Sequence, residues 1–151
     1  MGRHRATIEW RLGDGEDFLA GRYSRGHAVA FEGGHQAPGT ASAQVVGNRW
    51  AAKGAVDPEE MLVASISACH MLSFLHVARL AGFVAESYRD AAEGTLAENA
   101  DGRLALTRTV LRPQIAWRGA APSPAELDRL HHAAHEACFI ANSVKTEVVV
   151  A

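Results

Sequence analysis

The longest largely apolar segment of the chain, residues 61–81, predicts a long helix. The segment Asp57-Pro58-Glu59-Glu60 precedes it as a start signal, because aspartate caps a first turn, proline suits the first helical position and acids favour the positive end of the helix dipole. Gly82 is a natural stop. Between Met61 and Leu75 the helix is apolar on nearly every face. Each of these faces needs packing partners, which a 151-residue monomer supplies poorly.

A second helix is predicted to begin at Ser123, because Ser123-Pro124-Ala125-Glu126 combines a capping box with proline in the first turn. One face of this helix would carry Leu127, Leu130, His131, Ala134, Cys138 and Ala141. Cys138 is therefore expected on the helix or at its end.

Partial alternation of β-branched and aromatic residues with polar residues predicts five strands. They span residues 7–10, 27–31, 88–96, 104–117 and 144–150, with a turn at residues 99–102. Pro113 predicts a bulge or a sheet edge, and residues 33–54 predict an irregular connection because they are rich in Gly, Ala, Ser and Gln. The order of elements indicates an α+β fold and not an alternating βαβ fold.

Composition narrows the class of protein. Apolar residues make up 48% and charged residues 21%, with a formal net charge of -2, which favours one folded domain over residues 1–151 and opposes nucleic-acid binding. No apolar run follows the basic N-terminus, and no stretch reaches the ~18 to 20 apolar residues of a membrane span. We therefore expect a cytoplasmic protein without a nucleic-acid or membrane partner, where a permanent structural disulfide is disfavoured.

The only two cysteines, Cys69 and Cys138, can be buried hydrophobes, a structural disulfide, half a metal site or a redox pair. The metal alternative has a specific form. His131 and His135 stand four residues apart with Cys138 three further on, and Cys69 or His70 would supply a fourth ligand. The count of eight histidines keeps this alternative open, although the sequence has no close cysteine pair and no His-Glu-x-x-His motif.

Three segments carry a family resemblance, and they are Asp57 to Cys69, Ala134 to Val148 and Arg25 to Val29. They resemble segments of the OsmC/Ohr family, named for osmotically inducible and organic hydroperoxide resistance proteins. The segment from Asp57 to Cys69 is similar to the family's Asn-Pro-Glu-Glu-Leu segment, which continues through small residues to a cysteine. The segment from Ala134 to Val148 is similar to the second cysteine segment and the strand after it. Arg25-Gly26-His27-Ala28-Val29 resembles the family's Arg-Gly-x-Gly-x-Val, whose arginine belongs to the active site.

The chain departs from the family pattern at two positions. His70 follows Cys69 where an apolar residue is more usual, and Phe139 follows Cys138 where proline is more usual. Because each departure lies next to a cysteine, it bears on the subgroup of the family to which the chain belongs and on its substrate.

The resemblance implies an OsmC-like fold, with antiparallel sheets around a long central helix, in an intertwined homodimer. It also implies a thiol peroxidase that reduces organic hydroperoxides without a bound cofactor, using a lipoyl-type dithiol or a lipoylated protein as electron donor. Cys69 would become a sulfenic acid, and Cys138 would condense with it to a disulfide. A non-catalytic dimeric stress protein of the same fold is the alternative.

Peroxide attack requires a thiolate, and Cys69 lies too far along its helix for the dipole to stabilise one. A cation is needed, and Arg25 is the candidate, with Arg22 as the alternative and Glu59 as the carboxylate that orients the guanidinium. Glu59 and Cys69 are ten residues apart on one helix, or ~15 Å. Two copies of the helix crossing antiparallel near residue 64 would bring Glu59 of one chain level with Cys69 of the other.

Apolar side chains near these positions either form the wall of a substrate pocket or belong to the core. They are Met61, Leu62, Ile66, Met71, Phe74 and Phe139.

Overall fold

The computed structural model describes residues 2–151. They form two compact units, the first ending at Met61 and the second running from Leu62 to Ala151. The chain combines helices with several sheets, so the α+β prediction is confirmed. A single domain over residues 1–151 stays a prediction.

The first unit contains one three-stranded antiparallel sheet. Strands β1 (Ala6–Glu9), β2 (His27–Phe31) and β3 (Gln36–Gly39) lie in that order. The prediction of an irregular connection over residues 33–54 is wrong in part, because this segment contains β3 and the short helix α1 (Ala43–Val46). Pairing with β2 across the turn at residues 32–35 holds β3 in place, and this cross-strand pairing overrides its weak local strand signal.

The long predicted helix is present as α2 (Pro58–Leu80), which begins in the first unit and continues into the second. Asp57 caps it reciprocally with Glu60: the Glu60 N–H donates to the Asp57 carboxylate at 2.8 Å, and the Asp57 N–H donates to the Glu60 carboxylate at 3.1 Å. The chain leaves the helix through Gly82, whose positive φ of 86° suits glycine.

Only one stripe of α2 is buried within the chain, and it comprises Ile66, His70, Phe74 and Ala78. The side chain of Leu72 on another face is 63% exposed. By length and composition alone α2 is long and apolar enough to span a membrane, so the prediction that no segment reaches this limit is wrong. Core helices of soluble proteins meet the same criterion, and Ser67 and His70 of α2 hydrogen-bond to Asp90 and His131 of the same chain.

The second unit pairs its strands in two sheets. Strand β4 (Val84–Asp90) is antiparallel to β7 (Pro113–Arg118), and β5 (Glu93–Glu98) is antiparallel to β6 (Leu104–Leu111). Strand β8 (Glu147–Val150) lies parallel to β6. Helix α3 (Pro124–Ala137) precedes a 3-10 turn at Ala141–Ser143.

The prediction of single strands at residues 88–96 and 104–117 is wrong, because each of these segments is divided between two strands. The break lies where Asp90 faces Pro113, the first residue of β7, and β7 is an edge strand of a two-stranded sheet, so the predicted edge at Pro113 is confirmed. Asp90 accepts a hydrogen bond from the Arg112 N–H at 2.6 Å and another from the Ser67 hydroxyl at 2.5 Å. The Asp90 carboxylate thus occupies a backbone N–H that could otherwise pair between strands. Its bond with the Ser67 hydroxyl links the strand break to α2.

The core of the second unit lies between α2 and α3. Phe74 and Ala78 of α2 pack with Leu130 and Ala134 of α3. Partly buried apolar side chains surround this cluster, and they are Val77, Phe83, Tyr88, Ile115, Trp117 and Leu127. The predicted face of α3 is therefore confirmed up to Ala134, whereas Ala141 lies beyond the helix in the 3-10 turn.

We predict that Asp90→Ala lowers the free energy of unfolding by about 2–4 kcal/mol, because it removes two hydrogen bonds to a charged acceptor. Urea denaturation measures the loss. Asp101→Ala, in the exposed turn between β5 and β6, is the control and should change stability little. Equal stability of the two variants would show that Asp90 does not anchor the strand break.

Candidate active site

The structure brings the two cysteines together in the second unit. Cys69 lies on α2 and is partly exposed, whereas Cys138 forms the C-cap of α3 and is 0% exposed. Both are free thiols, and the side chain of Cys69 lies close enough to Cys138 to help raise the pKa of Cys138. The prediction that Cys138 lies on or at the end of a helix is confirmed, and the contact brings the thiols together as a redox pair requires.

The turn after Cys138 presents one backbone donor to each sulfur. The Ile140 N–H donates to Cys69 Sγ at 3.5 Å, and the Ala141 N–H donates to Cys138 Sγ at 3.4 Å. The Ser143 hydroxyl holds the turn by donating to the Phe139 carbonyl at 2.7 Å. A donor aimed at Cys69 Sγ stabilises negative charge there, so the turn supplies a local electrostatic contribution that sequence reasoning missed.

Burial raises the pKa of the Cys138 thiol, and its hydrogen bond with Cys69 raises it further, against the lowering effect of the Ala141 N–H. Its position at the C-terminal end of α3 acts in the same direction, because the negative end of the dipole opposes a thiolate. Cys138 is therefore held as a buried thiol beside the more accessible sulfur of Cys69.

A buried histidine pair lies next to the cysteines. His70 Nε2 and His131 Nδ1 are 3.1 Å apart, the ring planes differ by 11°, and His131 also stacks on Phe74 at 4.3 Å. Burial lowers the pKa of His70 to about 4, with further lowering by His131 and His135. Burial likewise lowers the pKa of His131. Both rings are accordingly neutral at neutral pH.

This pairing bears on the predicted metal alternative, in which His131, His135 and Cys138 would be ligands with Cys69 or His70. Within residues 2–151 no three His, Cys, Asp or Glu side chains converge in a way that could hold a metal ion. Nδ1 of His131 is engaged by His70. The structure thus does not assemble the predicted ligand set.

Arg25 and Glu59 line one pocket in the first unit, with a volume of about 400 Å³. The Arg25 guanidinium donates to the carbonyls of Gly21 and Tyr23 and lies 3.7 Å over the Tyr23 ring. Oε2 of Glu59 is buried without a hydrogen-bond partner among the described residues. No hydrogen bond or ion pair joins Arg25 to Glu59 in this part of the chain.

The alternative arginine is engaged elsewhere. Arg22 forms an exposed ion pair with Asp17 at 2.6 Å and does not line the pocket. Of the two candidate arginines, Arg25 is therefore the one that lines the pocket.

The walls of this pocket are mostly apolar and come from residues that sequence reasoning missed. Trp10, Phe18 and Tyr23 form an aromatic cluster with centroid distances of 4.8–5.9 Å. Their presence in the short segment before Arg25 was the available signal. Two side chains predicted as wall or core, Ile66 and Phe74, are fully buried core residues, whereas Phe139 is 81% exposed.

The predicted site residues thus form two groups. Cys69 lies with Cys138 in the second unit, and Arg25 lies with Glu59 in the first.

We predict that the protein loses stability in acid as the pH falls from about 6.5 to about 4. In this window the unfolded chain takes up a proton on His70 that the folded chain does not, which costs ~3 kcal/mol once complete. Urea denaturation at a series of pH values measures the effect. The double variant His70→Leu/His131→Leu should flatten the slope, and the exposed His132→Leu should keep it; equal slopes in all three proteins would contradict the assignment.

Comparison with known proteins adds independent information. The OsmC-like protein family profile matches residues 51–151. An OsmC-like protein of unknown function from Vibrio cholerae is 44% identical, with a TM-score of 0.96 over 100% of this chain and 99% of that one. No curated protein matches the sequence.

More distant solved structures share the fold. An organic hydroperoxide resistance protein OsmC from Legionella pneumophila is 20% identical, with a TM-score of 0.70 over 100% of this chain and 98% of that one. The organic hydroperoxide resistance protein OhrB of Bacillus subtilis is 16% identical, with a TM-score of 0.67 over 99% and 95%. The family match, the Vibrio cholerae protein and the shared fold agree with the predicted resemblance: this chain belongs to the OsmC-like protein family.

Proposed function

We propose that the protein is a cysteine-based peroxidase that reduces organic hydroperoxides to alcohols. The observation that carries the proposal is the unequal cysteine pair, in which a partly exposed Cys69 contacts a buried Cys138 with a raised pKa. A peroxidase needs one thiol that meets the peroxide and a second that waits as a thiol until the first is oxidised. Two fold relatives are named as organic hydroperoxide resistance proteins, which supports the same chemistry.

The reaction follows from the two thiols. The Cys69 thiolate attacks one peroxide oxygen, the O–O bond breaks, and the alkoxide takes a proton and leaves as an alcohol. Cys69 is then a sulfenic acid. The Cys138 sulfur attacks it, a sulfur–sulfur bond forms, the S–O bond breaks, and the hydroxyl group leaves with the thiol proton as water. An external dithiol then reduces the disulfide and becomes oxidised itself.

The catalytic arginine and its carboxylate come from the partner subunit in this proposal. Glu59 and Cys69 lie ten residues apart on α2, ~15 Å along its axis, so one chain cannot join them in a compact site. The exposed small residues Ala64, Ser65 and Ala68 lie between them and permit a close antiparallel crossing of two α2 helices. A homodimer would cover this face and give each site Arg25 and Glu59 of one chain with Cys69 and Cys138 of the other.

The apolar and aromatic pocket around Arg25 favours hydroperoxides with alkyl or lipid chains over hydrogen peroxide. Arg25 would bind the peroxide oxygens and stabilise the thiolate, because a guanidinium stays charged and presents several donors. The buried, unpartnered oxygen of Glu59 is available to orient that guanidinium when the two halves of the site meet.

We further propose a cytoplasmic protein whose electron donor is a lipoyl-type dithiol, either free or on a lipoylated protein. A dithiol suits the reaction because its second sulfur releases the mixed disulfide within one encounter. The chain itself needs no bound cofactor for this cycle.

We predict that Cys138→Ser, treated with one equivalent of cumene hydroperoxide, accumulates a sulfenic acid on Cys69. The resolving sulfur is then absent, so a dimedone-type trap should add to Cys69, as detected by mass spectrometry of the intact protein and its peptides. Oxidised wild type should instead carry an intramolecular Cys69–Cys138 disulfide. Trapping on Cys138 alone in Cys69→Ser would reverse the roles, and intermolecular disulfides alone would exclude the resolving step.

We predict that activity reappears when Cys69→Ser and Glu59→Ala subunits are mixed. Each homodimer lacks one component at both sites, whereas the heterodimer has one complete site if Glu59 serves the cysteine of the partner. Steady-state consumption of hydroperoxide with a dithiol donor measures recovery, and differential tagging verifies exchange.

The matched control for subunit mixing is Glu60→Ala, which changes the neighbouring capping acid and should keep activity as a homodimer. An inactive mixture despite verified heterodimers would show that Glu59 and Cys69 do not meet across an interface. Wild type without turnover would favour the non-catalytic stress protein.

A further inference from the structure

We propose that the hydrogen-bonded pair His70–His131 is a positioning device that sets the approach of Cys69 and Cys138 for disulfide formation. The inference builds on the proposed redox role of the two cysteines. It concerns two residues that neither react nor contact a substrate in the proposed cycle.

The pair lies on the two helices that carry the thiols. His70 directly follows Cys69 on α2, and His131 precedes Cys138 by seven residues, about two turns, on α3. A residue and the one seven positions later lie on nearly the same helix face, so His131 and Cys138 both face α2. Any sliding of α3 along α2 would displace the imidazole contact and the thiol contact together.

The remaining contact between these helices is apolar. Phe74 and Ala78 meet Leu130 and Ala134, and such contacts resist separation but have little directional preference. Among residues 2–151, the His70–His131 bond is the side-chain hydrogen bond that joins α2 to a residue within Pro124–Ala137 of α3, while the Ile140 N–H in the turn after α3 donates to Cys69 Sγ. The imidazole bond is therefore the directional contact between the two helices themselves, and it can specify their register.

Burial makes any shift from this register energetically costly. His70 is 1% exposed and His131 is 9% exposed, so a displaced ring could not exchange its partner for bulk water. Stacking of His131 on Phe74 fixes the ring plane as well. Burial keeps both rings neutral at neutral pH, so the pair contributes a directional hydrogen bond and no net charge.

Disulfide formation is sensitive to such a register. The bond requires Cα atoms roughly 4.4–6.8 Å apart with a narrow range of dihedral angles, and effective concentration falls steeply when reacting groups are misplaced. A looser register would leave both thiols chemically unchanged, but it would lower the equilibrium constant for forming the disulfide between them.

The test is the thiol–disulfide equilibrium of the purified protein with glutathione, measured by quenching with acid and counting free thiols by mass spectrometry. Oxidised glutathione accepts the two electrons as Cys69 and Cys138 join, and two reduced glutathione molecules leave. No hydroperoxide is present, so a protein without peroxidase turnover would still report on the pair. Failure of the proposed function and failure of this inference are thus distinguishable.

Three variants separate positioning from packing. His131→Leu removes the hydrogen bond, His131→Asn places an amide near the position of Nδ1, and His132→Leu makes the same change at a neighbouring side chain that is 76% exposed. We expect His131→Leu to lower the equilibrium constant for disulfide formation roughly tenfold, with His131→Asn restoring most of it and His132→Leu leaving it unchanged.

A wild-type constant in folded His131→Leu would overturn the inference, as would His131→Asn that is as weak as His131→Leu or an equal loss in His132→Leu. If His131→Leu does not fold, His131→Gln takes its place, because its amide lies one methylene beyond Nδ1 and should misplace the bond. A wild-type constant in His131→Gln would then overturn the inference.

Discussion

The packing of α2 against α3 is the contact on which the candidate chemistry depends. One stripe of α2, repeating every four residues from Ile66 to Ala78, is buried, and within it Phe74 and Ala78 pack with Leu130 and Ala134 of α3. Since Cys69 adjoins this stripe and Cys138 ends α3, burial of apolar area also determines where the sulfurs meet. Stability and redox geometry therefore share the same residues.

The two cysteines are chemically unequal because their surroundings differ. Cys138 is fully buried at the negative end of a helix, which raises its pKa, whereas Cys69 is accessible and receives a backbone N–H from Ile140. The difference does not come from the cysteine side chains themselves. It comes from the turn after α3, whose consecutive N–H groups point at one sulfur each.

A single chain leaves two features of the structure without a partner. Most faces of α2 are incompletely covered, although the helix is largely apolar, and an oxygen of Glu59 is buried in the first unit without a hydrogen-bond partner among residues 2–151. A second copy crossing at Ala64 would cover the exposed faces of α2 and would bring Cys69 and Cys138 to the pocket that Glu59 lines. Burial of the exposed apolar faces of α2 therefore supports the proposed dimer, in addition to the argument from mechanism.

Local sequence signals by themselves determined the long helix with its Asp57 cap, the capping box of α3 and the sheet edge at Pro113, because capping and proline geometry act within a few residues. The cysteine segments likewise identified the family. Strand β3 and the end of α3 before Ala141 were not predictable in this way, since hairpin pairing with β2 and the turn at Cys138 decide them. Only the tertiary structure could place His70 against His131 and gather Trp10, Phe18 and Tyr23 around Arg25, because residues far apart in the chain meet through packing that no local pattern encodes.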